Sequence, residues 1–144
     1  MSTLVVSLPA PEFKPSQYQI DYLHGKQKEN ELEMEISTFF NDELFPSKNR
    51  FCPYDWKGRS GKFYELKSRN NELNKYPTTM IPADKTRENT ILLFSFTDGL
   101  YYIEYDEEQF SKFEKASFRR WRTGISDKEK LYYYIPVDFL KPVS

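Results

Sequence analysis

YDWKGRSGKFYELKSR, Tyr54 to Arg69, reads as two short strands around a tight turn. Glycines stand at both ends of Gly58-Arg59-Ser60-Gly61, and aromatic residues at period two flank it. That pattern predicts a hairpin with strands over Arg50–Lys57 and Lys62–Ser68. In the second strand Phe63, Glu65 and Lys67 share one face, and Tyr64, Leu66 and Ser68 share the other. Asp55 stands ten residues before Glu65 and twelve before Lys67. Closing the hairpin can therefore bring two carboxylates and an ammonium to one point in space.

Upstream, Lys26 to Leu44 holds no Gly or Pro and is rich in Glu, Leu and Met, which predicts a helix ended by Pro46. Leu32, Ile36, Phe39, Phe40 and Leu44 recur at three- and four-residue spacing and define its buried stripe. Glu29, Glu33 and Glu43 fall on or beside that stripe, whereas Glu31 and Glu35 point away. A flanking glutamate is unremarkable if it reaches water and informative if it does not. Before this helix, Ser2 to Ala10 reads as an arm or short edge strand, and Gln17 to Leu23 as a helical turn or strand punctuated by Gly25.

Downstream, Arg69 to Lys75 is polar and loop-like. Pro77 and the threonines after it predict a helix from Thr79 to Glu88 that carries Lys85, with Pro82 in its first turn. Thr90 to Phe96, TILLFSF, has the length and apolarity of a central strand. Leu100 to Tyr105 returns after Thr97-Asp98-Gly99. A short helix over Glu107–Lys115, a strand over Leu131–Pro136 and a closing turn at Asp138–Leu140 complete the reading. The fold class is α/β, a mixed sheet with helices, in one domain spanning 1–144.

The chain has one cysteine, Cys52, and one histidine, His24, so it has no internal disulfide and no Cys/His zinc site. Cys52 reads as a small buried hydrophobe in a strand. No apolar run approaches the ~20 residues of a membrane span, and the N-terminus lacks the basic start of a signal peptide. An intracellular protein with no membrane partner is expected. The net charge of −1 hides an acidic segment, Asp21–Phe45, and two basic ones, Lys48–Lys75 and Lys112–Arg122.

Hydrolysis of a phosphodiester needs a nucleophilic water and charge neutralisation at phosphate. Magnesium supplies both when one or two carboxylates hold it, and a neighbouring lysine can orient or deprotonate the water. Asp55, Glu65 and Lys67 are the right residue types on adjacent strands, and the Leu66 main-chain carbonyl between them is a further candidate ligand. The plain alternative is an exposed same-face Glu–Lys pair of little energetic value.

With that context the chain resembles the PD-(D/E)XK nuclease superfamily, the fold of many restriction endonucleases and Holliday junction resolvases. The family core runs helix, three-stranded meander, helix, strand. Its motif, an Asp on the second core strand and (Asp/Glu)-x-Lys on the third, corresponds here to Asp55 and Glu65-Leu66-Lys67. Pro53-Tyr54-Asp55 departs from the family's Pro-Asp pair by one inserted residue. The family's first helix often carries a glutamate followed by apolar residues. Glu33 fits, with Ile36, Phe39 and Phe40; Glu29 fits less fully, with Leu32 and Ile36. Lys85 matches the Lys or Gln that many members place after the motif. Asn74 to Ile81 is similar to a run in nuclease-like proteins of large DNA viruses and phages.

The resemblance spans Lys26 to Tyr105 and implies a Mg²⁺-dependent DNA endonuclease, with Mn²⁺ able to substitute. Asp55 and Glu65 would hold the metal, Glu33 would assist, Lys67 would activate water and Lys85 would touch phosphate. A homodimer is an expected assembly, as in resolvases. Candidate phosphate contacts are Arg59, Lys62, Arg69, Lys75, Arg119, Arg120 and Arg122. Arg59 and Lys62 equally suit a soluble turn. Lys112–Arg122, with Phe113, Phe118 and Trp121 interleaved, equally suits a partly buried amphipathic helix. Two other functions remain open: a non-catalytic nucleic-acid binder on the same fold, and an interaction module whose aromatic strands form a partner surface.

Overall fold

A capping box starts the first helix, α1, Gln17–Phe40. The Ser16 hydroxyl accepts from Gln19 N–H at 3.2 Å, and the Ser16 N–H donates to the Gln19 side chain at 2.8 Å. The helix thus begins nine residues earlier than its apolar stripe predicts and runs straight through Gly25. Asn41 closes it in the left-handed conformation, φ 49°, so the chain has already left the helix before Pro46. The computed structural model describes residues 16–48, 52–118, 121–122, 125–126 and 129–144. Ser2–Ala10 and the first residues of the Arg50–Lys57 strand lie outside them.

After α1 come β1 (Leu44–Pro46), β2 (Trp56–Gly58) and β3 (Phe63–Ser68), an antiparallel meander. A 3-10 turn (Leu73–Lys75), β4 (Thr78–Pro82) and a second 3-10 turn (Ala83–Lys85) cross to β5 (Thr90–Phe96). There follow β6 (Gly99–Glu104), α2 (Glu107–Ser111), β7 (Glu114–Phe118), β8 (Trp121–Arg122), β9 (Ile125–Ser126), β10 (Lys130–Pro136), a 3-10 turn (Val137–Phe139) and β11 (Lys141–Pro142). The main sheet has the order β1-β2-β3-β5-β6-β11, and in it β3 and β5 run parallel while the other neighbours are antiparallel. A second sheet, β4-β10-β7, is antiparallel. The fold is mixed α/β, as expected.

β5 is the central strand its composition predicts. Its side chains divide between two cores because successive residues face opposite ways. Ile91 and Leu93 pack with Ile36, Trp56, Tyr64 and Leu66 under α1. Leu92, Phe94 and Phe96 pack with Ile81, Phe110, Phe113 and Ile135 under the second sheet and α2. The result is three layers, helix, sheet and sheet. Each fully buried aliphatic side chain in them contributes about 1.5–3 kcal/mol.

The helix expected over Thr79–Glu88 is instead β4 and a single 3-10 turn. Thr79 and Ile81 point into the core and Thr78, Met80 and Pro82 outward, the period of a strand. β-branched residues favour that conformation, and pairing with β10 supplies the hydrogen bonds. The helix expected to Lys115 stops at Ser111, because Glu114–Phe118 pairs with β10. Lys112–Phe118 is therefore no amphipathic helix. Phe113 belongs to the core and Phe118 stacks on Tyr132 with ring centroids 4.3 Å apart. Leu44, assigned to the helix stripe, is buried from β1. No helix among the described residues is long and apolar enough to cross a membrane.

Candidate active site

β2 and β3 pair over only two residues, Trp56 with Tyr64 and Lys57 with Phe63. Beyond them the strands diverge. The Asp55 N–H still donates to the Tyr64 carbonyl at 2.9 Å, but the next exposed donor on β3, Leu66 N–H, meets the Asp55 side chain instead, at 2.7 Å. The carboxylate substitutes for the departed strand and satisfies a backbone group that would otherwise be left unpaired. A cleft opens at this split. Asp55, Glu65, Leu66, Lys67 and Lys85 line it, and Tyr22, Lys26 and Glu29 of α1 close one side. Its volume is about 210 Å³.

Glu65 sits on the floor and is only 3% exposed. One carboxylate oxygen, Oε1, lies 3.3 Å from Lys67 Nζ and 3.5 Å from Lys85 Nζ. The other, Oε2, is buried without a hydrogen-bond partner. Burial, and then the nearby Asp55 charge, push the Glu65 carboxyl up to about 7, against the pull of the two lysines. Lys67 reaches this point because it follows Glu65 by two residues on one strand face. Lys85 arrives from the opposite layer on the turn after β4.

The helix carboxylate in the cleft is Glu29. Burial and a hydrogen bond to Asp55 raise it to about 7, and Lys26, 3.0 Å away, opposes the shift. Glu33 lies elsewhere, in a groove with Asn30, Met34, Ser37 and Glu43. The reason is helical phase. At about 100° per residue, Glu29 is roughly 20° from the azimuth of buried Ile36, whereas Glu33 is roughly 60° away. The seven-residue step from Glu29 to Ile36 was present in the sequence, but the fuller apolar match after Glu33 outweighed it.

The expected phosphate contacts scatter. The Arg69 guanidinium donates to Thr79 Oγ1 at 3.2 Å and to the Met80 carbonyl, tying β3 to β4. Lys62 pairs with Glu104 at 3.1 Å and Arg59 with Glu43 at 3.7 Å. Lys75 lies over the Tyr76 ring. Arg119 and Arg120 fall outside the described residues, and Arg122 lies on β8. Cys52 is half-exposed at a bend and lines the cleft rather than filling a strand. His24 is exposed on α1.

A cluster that the sequence reading passed over sits at the other end of the hairpin. Buried Asp42 accepts from Ser60 N–H at 3.0 Å, Ser60 Oγ at 2.6 Å and Tyr64 Oη at 2.7 Å. It fastens the turn to the end of α1. Gly58 leaves room for it: a Cβ there would come within 2.0 Å of Asp42 Oδ2.

Among the described residues no three Asp, Glu, His or Cys side chains converge as a preformed metal cage. Comparison with family models, with curated proteins and with solved structures finds no match.

Proposed function

We propose that the cleft hydrolyses phosphodiester bonds in DNA with the aid of a divalent cation. The observation that carries this reading is Glu65: a buried carboxylate beside Asp55, facing two ammonium groups, with one oxygen unpartnered. An isolated polar atom in that position costs about 1–3 kcal/mol and is most economically explained by a ligand. Asp55 and Glu65 would hold the cation. Two carboxylates with water in the remaining positions suit Mg²⁺, which needs no all-protein cage. When bound, the cation lowers the pKa of a bound water and neutralises developing negative charge.

The chain's own residues supply the rest. Lys67 and Lys85 face the charge that accumulates on phosphate oxygens, and Lys67 is placed to orient the attacking water. Leu66 N–H fixes the Asp55 rotamer, so the carboxylate is set before substrate arrives. Glu29, hydrogen-bonded to Asp55, stands where the resemblance would place Glu33. The chain order supports a PD-(D/E)XK-like core: α1, a three-stranded meander, a crossover, then a strand parallel to β3. The crossover departs from the family pattern, since β4 and its turn stand where the family has a helix.

The test incubates purified protein with duplex, branched and single-stranded DNA in Mg²⁺, Mn²⁺ or EDTA. Metal-dependent cleavage lost in folded Glu65→Ala and Lys67→Ala proteins is the expected result. Full cleavage by a folded Lys67→Ala protein would falsify the assignment of roles. One observation favours the alternative of binding without turnover: Glu65 is already ion-paired on Oε1 by two lysines. Binding under every metal condition with no cut would establish it.

A further inference from the structure

A second cavity, of about 370 Å³, lies beyond Arg69, beside β4. Arg69, Tyr76, Pro77, Met80 and Tyr134 are among the residues lining it. Its position follows from β3. Glu65, Lys67 and Arg69 alternate onto one face of the chain, and the lining of the cleft ends at Lys67, two residues before Arg69, which lines the cavity. Glu65 and Arg69 are four residue steps apart along the extended chain, about 13 Å. A stacked nucleic-acid strand advances about 3.4 Å per nucleotide, so at most roughly four steps separate the two residues.

The lining suits a flat aromatic guest. Tyr76 is 54% exposed, and the Lys75 ammonium stands 5.7 Å from its ring centroid. Tyr134 and Met80 are paired in register on β10 and β4 and turn to the same outer side. The Arg69 guanidinium, held by Thr79 and the Met80 carbonyl, braces the wall. Apolar and aromatic faces with cations beside them accept a base by stacking and its phosphate by charge. A paired base in a duplex has no free face to offer.

We propose that this cavity holds an unpaired nucleobase of the strand whose backbone runs through the Asp55–Glu65–Lys67 cleft. The inference rests on the reading of that cleft as a phosphodiester site, and it narrows the substrate to nucleic acid with a single-stranded or splayed segment.

The test measures binding in EDTA by fluorescence anisotropy, with a single-stranded DNA 12-mer, an RNA 12-mer of the same sequence and the DNA duplex. Single strand should bind more tightly than duplex. Tyr76→Ala should weaken it about tenfold, the scale of one base–aromatic stack, and Tyr76→Phe should stay within about twofold. A loss on the DNA or the RNA arm supports the cavity and identifies its strand. A single abasic site is then scanned through the 12-mer. One position should cost wild type about tenfold and cost Tyr76→Ala nothing further, the non-additivity expected of partners.

Wild-type affinity for single strand in both Tyr76→Ala and Tyr134→Ala, or tighter binding of duplex than of single strand, would overturn the proposal. Cleavage is mapped separately in Mn²⁺. Cutting with tyrosine variants that bind normally removes the base cavity and leaves the catalytic reading intact. An abasic peak without cutting removes the catalytic reading and leaves the base cavity standing.

Discussion

Two buried carboxylates stand at opposite ends of one hairpin. Asp42 is 8% exposed and Glu65 is 3% exposed, yet their surroundings are opposite in kind. Burial pushes the Asp42 carboxyl up, but the hydroxyls of Ser60 and Tyr64 and the N–H groups of Ser60 and Arg59 outweigh it, so Asp42 titrates below the usual range. Glu65 has two ammonium groups on one oxygen, nothing on the other, and a carboxyl raised to about 7. Asp42 is saturated with neutral donors, which suits a fastening. Glu65 keeps unused acceptor capacity beside another acid, which suits chemistry. Similar burial therefore serves stability at one end of the hairpin and proposed reactivity at the other.

The contrast breaks most visibly if the Glu65 end can be altered without loss of function. Lys67→Ala should lower metal-dependent cleavage about a hundred- to ten-thousandfold, the usual contribution of a positioned acid–base group. Its urea midpoint should stay near wild type, since Lys67 is partly exposed and Lys85 remains paired with the buried Glu65. Rate per folded molecule, with circular dichroism as the check on folding, is the measurement.

Asp42→Ala should do the reverse. It leaves the Tyr64 hydroxyl and the Ser60 N–H without their acceptor, at a cost on the order of 4 kcal/mol. Gly58→Ala attacks the same contact from the other side, because its Cβ would collide with Asp42 Oδ2. Both variants should lower the urea midpoint markedly while the folded fraction cleaves at the wild-type rate. An Asp42→Ala protein as stable as wild type would remove the distinction between the two ends.

Stability against pH sharpens the comparison. A carboxyl whose folded pKa lies above its unfolded value keeps its extra proton in the native state. Stability from Glu65 is therefore fully present below about 4.5 and is lost as pH rises through about 7. That shift corresponds to a loss on the order of 3 kcal/mol across the window. Asp42 has the opposite sign: its contribution is present above the ordinary aspartate pKa and is lost as pH falls through its lowered folded value. In EDTA, Glu65→Gln should flatten the decline between pH 4.5 and 7 and be more stable than wild type at pH 8. Glu29, also raised to about 7, leaves a residual slope. Added Mn²⁺ should stabilise wild type at pH 8 and leave Glu65→Gln unmoved. Parallel pH profiles for the two proteins would count against a Glu65 carboxyl raised by its burial.

What the sequence made legible follows from range. Asp55, Glu65 and Lys67 needed only one hairpin and period-two alternation, and the structure brings them to one cleft. Thr90–Phe96 announced itself because seven residues of apolar character fit few other roles. β4 resembles a helix in sequence because Pro77 and Pro82 look like helix punctuation, while the partner that makes it a strand, β10, lies some fifty residues away in the chain. Helical phase puts both Glu29 and Glu33 near the stripe, and the fuller apolar run after Glu33 hides that Glu29 lies nearer the azimuth of Ile36. The Asp42 fastening depends on Ser60 and Tyr64, eighteen and twenty-two residues distant. No local pattern marks it, although Gly58 in the turn is a trace of the space it requires.

The smallest expected effect lies at the Asp42 end, at Arg59. Its guanidinium stands 3.7 Å from Glu43, and both side chains are well exposed, 80% and 61%. An exposed pair of that kind contributes about 0.2–1 kcal/mol at most, because water screens the attraction and ordering two long side chains costs entropy. The Arg59 N–H, by contrast, is held by the Glu43 carbonyl at 2.8 Å, a bond that survives any change of side chain. Arg59→Ala should therefore shift the urea midpoint within error at physiological salt, although the residue adjoins both Gly58 and Ser60. If it also weakens DNA binding, the loss should shrink as salt is raised, with the binding slope against log salt reduced by about one. An Arg59→Ala protein that loses as much stability as Asp42→Ala would show that the turn is held by charge at its surface, and the buried carboxylate would lose its place as the fastening.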